Sequence, residues 1–242
     1  MANSYFRFKQ FTVHQAKSAM KVCTDACVFG AYVSLKEKAC SNEETNILDI
    51  GTGSGLLSLM IAQRVNGNIE AVEIDDSAFE QANENFEISP WQKRLTAIHA
   101  DITQLSILKK YDIIVSNPPF FQKSLKSDDL KKNLAKHTTT LPYTALASIA
   151  CSHLAEKGKF YILLPFEEFI AFEKIALENK LKLFEKVNIR QHTLSNYFRT
   201  IGVFTNVATP EAVTEHSISI KDKNDAYTES FIELLKDYYL YL

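Results

Sequence analysis

Leu48-Asp49-Ile50-Gly51-Thr52-Gly53-Ser54-Gly55 is the stretch whose reading decides the fold. Asn46–Ile50 is a short apolar run, and Leu56–Val65 carries an apolar helical pattern. The glycines between them let the backbone turn sharply and let a ligand approach closely. A helix that starts behind such a turn presents unpaired N–H groups. In the dinucleotide fingerprint the spacing is Gly-x-Gly-x-x-Gly, and a pyrophosphate sits on that helix end. Here the spacing is Gly-x-Gly-x-Gly, with Asp49 ahead of it. A carboxylate in that place repels pyrophosphate and favours an ammonium or sulfonium charge, such as the amino-acid end of S-adenosylmethionine. A generic strand-to-helix turn is the plainer alternative.

Outward from this turn the chain alternates strand and helix. Ile69–Glu73, Leu95–His99 and Tyr111–Ser116 read as strands two to four, and Ser77–Ile88 as a helix capped by Asp75, Asp76 or Ser77. Tyr143–Leu154 and Phe166–Asn179 read as helices on either side of a fifth strand, Gly158–Leu164. Such alternation predicts a parallel sheet with helices on both faces. Leu181–Arg190 and Phe198–Val207 have no helix between them and are expected to pair antiparallel. Thr228–Tyr238 reads as a closing amphipathic helix. Upstream, Phe6 to Val13 alternates like one half-buried strand, with Phe6 and Phe8 inward and Phe11 a third candidate. Thr24 to Leu35 reads as a short helix capped by Thr24 or Asp25.

Two more acids extend the argument. Glu73 ends strand two, where a carboxylate accepts both hydroxyls of a ribose in dinucleotide folds. Asp101 follows strand three, placed to accept from an adenine amino group. Either alone is a solvated strand-end residue; three acids at three successive strand ends form a pattern. Gly51, Thr52, Gly53 and Gly55, with Asp49, Glu73, Asp101 and Asn117 after strand four, are the candidate cofactor-binding residues, and S-adenosylmethionine the candidate cofactor.

Ser116-Asn117-Pro118-Pro119-Phe120 follows strand four directly. In open parallel sheets, sites lie beyond the carboxyl ends of the strands. An amino group on an aromatic ring or carbonyl is a poor nucleophile, because its lone pair is delocalised. Two acceptors that take its two N–H bonds push the nitrogen toward a tetrahedral shape. The Asn117 side-chain oxygen and the Pro118 carbonyl suit that task. Phe120 suits stacking on a flat substrate, and Pro118 and Pro119 stiffen the loop for in-line attack on a methyl carbon. No general base is needed first, because the product ammonium is acidic. A strand ended by prolines is the alternative without chemistry.

Composition sets the remaining bounds. The 242 residues suit a single domain over 1–242, with 1–45 as a strand-and-helix extension on the catalytic core. No apolar run reaches the roughly 18 residues that cross a bilayer, and no leader pattern opens the chain, so a cytoplasmic protein with no membrane partner is expected. Cys23, Cys27, Cys40 and Cys151 lack zinc spacing, and no metal is expected. The net charge of −2 provides no global field for nucleic acid, so any contact needs a local patch. Lys123, Lys126, Lys131, Lys132 and Lys136, around Asp128 and Asp129, form one candidate patch beside the catalytic loop, or a plain solvated loop. Arg190, His192, Tyr197 and Arg199 flank the turn between the two long strands and are a second candidate.

These residues resemble the Asn-Pro-Pro-(Phe/Tyr) methyltransferases, which act on adenine N6, guanine N2 or glutamine amide nitrogens. Within that group the chain is similar, over nearly its whole length, to the bacterial tRNA1(Val) (adenine-37-N6)-methyltransferases. Phe8-Lys9-Gln10-Phe11 with His14 and Gln15 is similar to their opening, and Lys21-Val22-Cys23-Thr24-Asp25-Ala26 to their Lys-Val-Gly-Thr-Asp segment. Ala135-Lys136-His137 and Ile162-Leu163-Leu164-Pro165 match later segments. Cys23, Lys136 and Thr138 depart from the pattern, where glycine, arginine and glutamate are usual. The resemblance implies a class I, Rossmann-like α/β fold with a seven-stranded, mostly parallel sheet in the order 3-2-1-4-5-7-6 and an antiparallel last strand. It implies S-adenosylmethionine as cofactor, S-adenosylhomocysteine as product, and a tRNA anticodon loop as partner, with no obligate protein partner. It implies a role for Lys21 to Asp25, Thr24 among them as a cofactor-binding candidate, near the methionine end of the cofactor or over the pocket. His137 joins Lys123, Lys126, Lys132, Lys136, Arg190 and Arg199 as candidate RNA contacts. A splayed adenine next to the anticodon suits an aromatic stacker.

Other readings differ in testable ways. Protein-glutamine methyltransferases carry Asn-Pro-Pro-Tyr and an N-terminal helical domain, whereas only about 45 residues precede strand one here. A guanine-N2 methyltransferase acting on rRNA keeps the same loop. Intact Asn117 and the three glycines argue against an inactive RNA-binding scaffold, and the glycine spacing against a nicotinamide oxidoreductase.

Overall fold

In a computed structural model, residues 3–38, 45–105, 109–119, 141–207 and 212–242 are described. β1 (Tyr5–Arg7) and β2 (Thr12–His14) form an antiparallel hairpin, followed by α1 (Thr24–Glu37). Then come β3 (Thr45–Ile50), α2 (Leu56–Ala62), β4 (Gly67–Glu73), α3 (Asp76–Glu87), β5 (Leu95–His99) and β6 (Tyr111–Ser116). The chain continues through α4 (Tyr143–His153), β7 (Leu154–Pro165), α5 (Phe166–Glu178), β8 (Lys182–His192), β9 (Tyr197–Thr205), β10 (Thr214–Lys221) and α6 (Glu229–Leu235).

The main sheet has eight strands in the order β10-β8-β9-β7-β6-β3-β4-β5. Seven of them reproduce the expected order. The eighth, β10, pairs parallel to β8 at the edge and corrects the expected count. The antiparallel strand is β9, the last of the expected seven, between β7 and β8. The strand order reverses between β3 and β6, so the carboxyl ends of these strands border the crevice where open α/β sheets bind ligands.

Apolar side chains cover both sheet faces. One cluster joins Phe29, Ile47, Leu59, Val115, Tyr161 and Phe231; the other joins Leu48, Ile114, Phe160, Phe172 and Phe204. Successive strand residues point to opposite faces, which is why neighbours such as Ile47 and Leu48 fall in different clusters.

The N-terminal region corrects two expectations. Phe6 to Val13 is a hairpin, because the chain reverses at Lys9-Gln10 and stacks Phe8 on Phe11 with ring centroids 4.5 Å apart. The N-cap of α1 is Cys23, with no side-chain cap, and Thr24 is the first helical residue. Asp25 is turned away from capping toward Arg199, 2.8 Å from its Nε. At α3, by contrast, Asp75 is the cap and accepts from Ala78 N at 2.8 Å.

Candidate active site

Gly51, Gly53 and Gly55 all adopt positive φ, at 74°, 59° and 82°. A side chain is strained in each place. Their reasons differ. A Cβ at Gly51 would meet nothing within 4 Å, and at Gly53 only Ser18 Oγ at 4.0 Å, so both glycines border open space. A Cβ at Gly55 would lie 2.5 Å from the Phe86 ring, so Gly55 serves the packing of α2 on α3.

The open space is a cavity of about 840 Å³. Gly51, Thr52 and Gly53 line it, together with Glu73, Asp101, Asn117, Pro118 and Pro119. The strand ends of β3, β4, β5 and β6 thus meet at one place. Thr24, Asp49 and Gly55 are not among the lining residues. Phe120, Lys123, Lys126, Lys132, Lys136 and His137 lie outside the described residues.

Asp49 sits behind the turn, fully buried. Its Oδ2 accepts from Thr52 Oγ1 and Ser58 Oγ, both at 2.7 Å, while Oδ1 has no partner among the described residues. Burial pushes its carboxyl up to about 6, the two hydroxyl donors pull it back, and Glu73 adds to the rise. Asp49 therefore holds Thr52, which lines the cavity.

Glu73 organises the next turn. Its Oε2 accepts from Gly53 N at 2.8 Å, and Oε1 from Ile74 N and Asp75 N at 2.9 and 3.0 Å. Asp101 Oδ1 accepts from both the N and Oγ1 of Thr103. Ser116 Oγ donates to Ile50 O at 2.9 Å, tying the end of β6 to the end of β3. Asn117 follows, half-buried, with Oδ1 buried and without a partner among the described residues.

The segment before α1 forms the other wall. Ser18, Ala19, Met20, Lys21 and Val22 line the cavity. Of these the sequence singled out Lys21 and Val22, through the resemblance, and gave no signal for Met20. Arg199 is engaged with Asp25 at 2.8 Å, and the Arg190 Nε donates to Ser219 Oγ at 2.7 Å while its guanidinium lies over the Tyr197 ring. Both arginines thus have partners within the fold. Among the described residues no cluster of His, Cys, Asp or Glu is arranged to hold a metal, and no helix is long and apolar enough to cross a membrane.

Residues 33–192 match the family model of the methyltransferase small domain. A predicted O-methyltransferase from Agrobacterium tumefaciens superposes with a TM-score of 0.63 at 14% identity, covering 88% of this chain and 96% of that one. A methyltransferase from Pyrococcus furiosus superposes with a TM-score of 0.52 at 20% identity, covering 74% and 83%. Fold and family together define a class I S-adenosylmethionine-dependent methyltransferase. The chain is 43% identical to the tRNA1(Val) (adenine(37)-N6)-methyltransferase of Dyadobacter fermentans, over 98% of each chain, and 40% identical to that of Cytophaga hutchinsonii over the full length of both. It belongs to the tRNA1(Val) (adenine(37)-N6)-methyltransferase family.

Proposed function

We propose that the chain transfers the methyl group of S-adenosylmethionine to N6 of an adenine in tRNA, adenine 37 of tRNA1(Val). The observation that carries this reading is the meeting of Asn117-Pro118-Pro119 with the glycine turn, Glu73 and Asp101 around one cavity. S-adenosylmethionine supplies an electrophilic methyl carbon on a sulfonium. Gly51 and Gly53 leave room for close approach to the backbone, and Glu73 and Asp101 offer carboxylates for ribose hydroxyls and an adenine amino group. Asp49 provides negative charge behind the turn and holds Thr52.

Asn117 Oδ1 is a buried acceptor without a partner among the described residues, which suits one N–H of an amino group. The Pro118 carbonyl takes the other. With both N–H bonds so held the nitrogen lone pair would point at the methyl carbon; as the N–C bond formed the C–S bond would break, S-adenosylhomocysteine would leave, and the product ammonium would give its proton to water. Phe120 is assigned to stacking on the base. Lys123, Lys126, Lys132, Lys136 and His137, with Arg190 and Arg199, are assigned to the RNA backbone. Thr24 and Gly55 act on the cofactor site from behind, through α1 and α2. We read 1–242 as one methyltransferase domain, because Phe8, Phe11 and Val13 share a core cluster with Ile47 and Leu59, and Lys9 N donates to Tyr238 O at 2.8 Å.

The test is to incubate undermodified tRNA with the protein and methyl-labelled cofactor, then digest to nucleosides. Label in N6-methyladenosine is expected. Label in methylguanosine, or only in protein, overturns the substrate assignment.

A further inference from the structure

An asparagine side chain has an accepting end and a donating end, and only the oxygen can receive an N–H from substrate. Something must hold the NH2 end if the amide is to present its oxygen. Asn117 Nδ2 lies 4.0 Å from Met20 Sδ, and among the described residues this is the one hydrogen bond that the side chain makes. A thioether accepts weakly and cannot donate, so it separates the two orientations of the amide.

Met20 is also unlike a core methionine. It is 41% exposed, yet it lines the cavity. The segment that carries it is cross-linked on itself. Gln15 is buried, with Oε1 accepting from Val22 N at 2.7 Å and Nε2 donating to Asn3 O at 2.8 Å. The Lys21 ammonium donates to Ser18 O at 2.8 Å and also to Gln15 O, and Ser18 Oγ donates to Met20 O at 3.0 Å. Two groups on α3 anchor the segment from below: Asn85 Oδ1 accepts from His14 N at 2.9 Å and Gln81 Oε1 from Lys17 N at 3.1 Å. So many links on a loop of this length fix where Met20 sits.

We propose that Met20 is a positioning residue: its sulfur accepts from Asn117 Nδ2 and fixes the amide with Oδ1 toward the substrate amino group. This rests on the reading of Asn117 as the group that accepts from that nitrogen. The sulfur contact restricts rotation of the amide before substrate arrives, so its loss lowers turnover more than binding.

The experiment compares Met20→Leu, which keeps the volume and removes the acceptor, with Met20→Gln, which restores an acceptor at similar reach. Methyl transfer to tRNA is measured with cofactor and RNA each varied. Met20→Leu is expected to lower kcat about ten-fold, the size of one modest hydrogen bond, with both KM values within about two-fold of wild type. Met20→Gln is expected to recover most of that loss. An unchanged kcat in Met20→Leu, an equal loss in both variants, or a loss confined to KM overturns the proposal. A second readout needs no turnover. The Asn117 side-chain NH2 resonances, identified by their loss in Asn117→Asp, are compared between wild type and Met20→Leu; a shift is expected, and coincident spectra overturn the contact. If wild type labels no adenine in tRNA, the proposed function falls while the spectra still decide the Met20 contact.

Discussion

Asp49 and Glu185 occupy one row of the same sheet face, four strands apart. The pairing runs from Asp49 to Val115, Tyr161, Val203 and Glu185, the last just past a register shift between Leu183 and Glu185. Both carboxyls are buried, and their surroundings differ. Glu185 meets the Lys36 ammonium at 2.7 Å and His216 at 3.1 Å, and its neighbour Glu37 meets Lys159 at 2.9 Å and the Tyr161 hydroxyl. Among the described residues Asp49 meets two hydroxyls and the Ser58 backbone but no cation in hydrogen-bond reach, and leaves one oxygen without a partner. Charge balanced by lysine holds helix α1 to the sheet. Charge balanced by hydroxyls, beside a glycine turn, is a folding cost, and the proposed role of Asp49 toward a sulfonium cofactor gives that cost a use.

The largest effect that separates the site from its scaffold belongs to Asn117. Asn117→Ala should lower methyl transfer about a thousand-fold, in line with the loss of a single preorganised polar group at a reacting centre. Binding of S-adenosylhomocysteine, followed by calorimetry, should stay within a few-fold of wild type. An active Asn117→Ala removes Asn117 from the chemistry. At the scaffold end, Lys159→Met removes a cation from beside buried Glu37. It should lower stability by about 2 kcal/mol, below the usual cost of breaking a buried pair because the Lys159 side chain is about a third exposed. Urea unfolding measures the loss, and S-adenosylhomocysteine affinity should not change. If affinity fell in step with stability, the division between scaffold and site along this row would be lost.

Much of the site was legible because local rules and function agree there. Gly51 and Gly53 need positive φ, Asp75 caps α3, and Glu73 and Asp101 close strands at one end of the sheet. Legibility stops where a residue's role depends on what folds over it. The spacing that put Asp49 beside the turn could not show that its side chain lies beneath the turn, bound to Thr52 and Ser58. Gly55 answers to Phe86, 31 residues on in the chain, as well as to its positive φ, and no local pattern carries that contact. Strand β10 escaped because it is an edge: Thr214 to Ser217 are exposed, and only Ile218 and Ile220 mark an inner side. The β1–β2 hairpin escaped because Lys9-Gln10 carries neither glycine nor proline. Met20 had no signal at all, since a single methionine matches no template until the cavity brings it to Asn117.

The smallest and most discriminating effect concerns the charge on Asp49. Its carboxyl stands near 6 when folded, against an ordinary 3.8. The folded protein therefore holds this proton more tightly than the unfolded chain does. The stability that Asp49 contributes is complete below about pH 4 and is lost as pH rises through about 6. At roughly 1.4 kcal/mol per pH unit, the charged form costs up to about 3 kcal/mol above that window. Asp49→Asn keeps an acceptor for Thr52 and Ser58 and removes the charge. It also leaves its own NH2 without an acceptor, which returns part of the gain. The net expectation is about 1 kcal/mol of added stability at pH 7.5. The gain should shrink between pH 6 and 4, and at pH 4 the neutral variant should be no more stable than wild type. Thermal unfolding of both proteins across that range measures it. Cofactor binding should move the other way, weakening in Asp49→Asn most clearly at pH 7.5, where the wild-type carboxyl is charged. A variant that lost stability at every pH would make Asp49 a structural acid like Glu185, and the contrast between the two ends of the row would vanish.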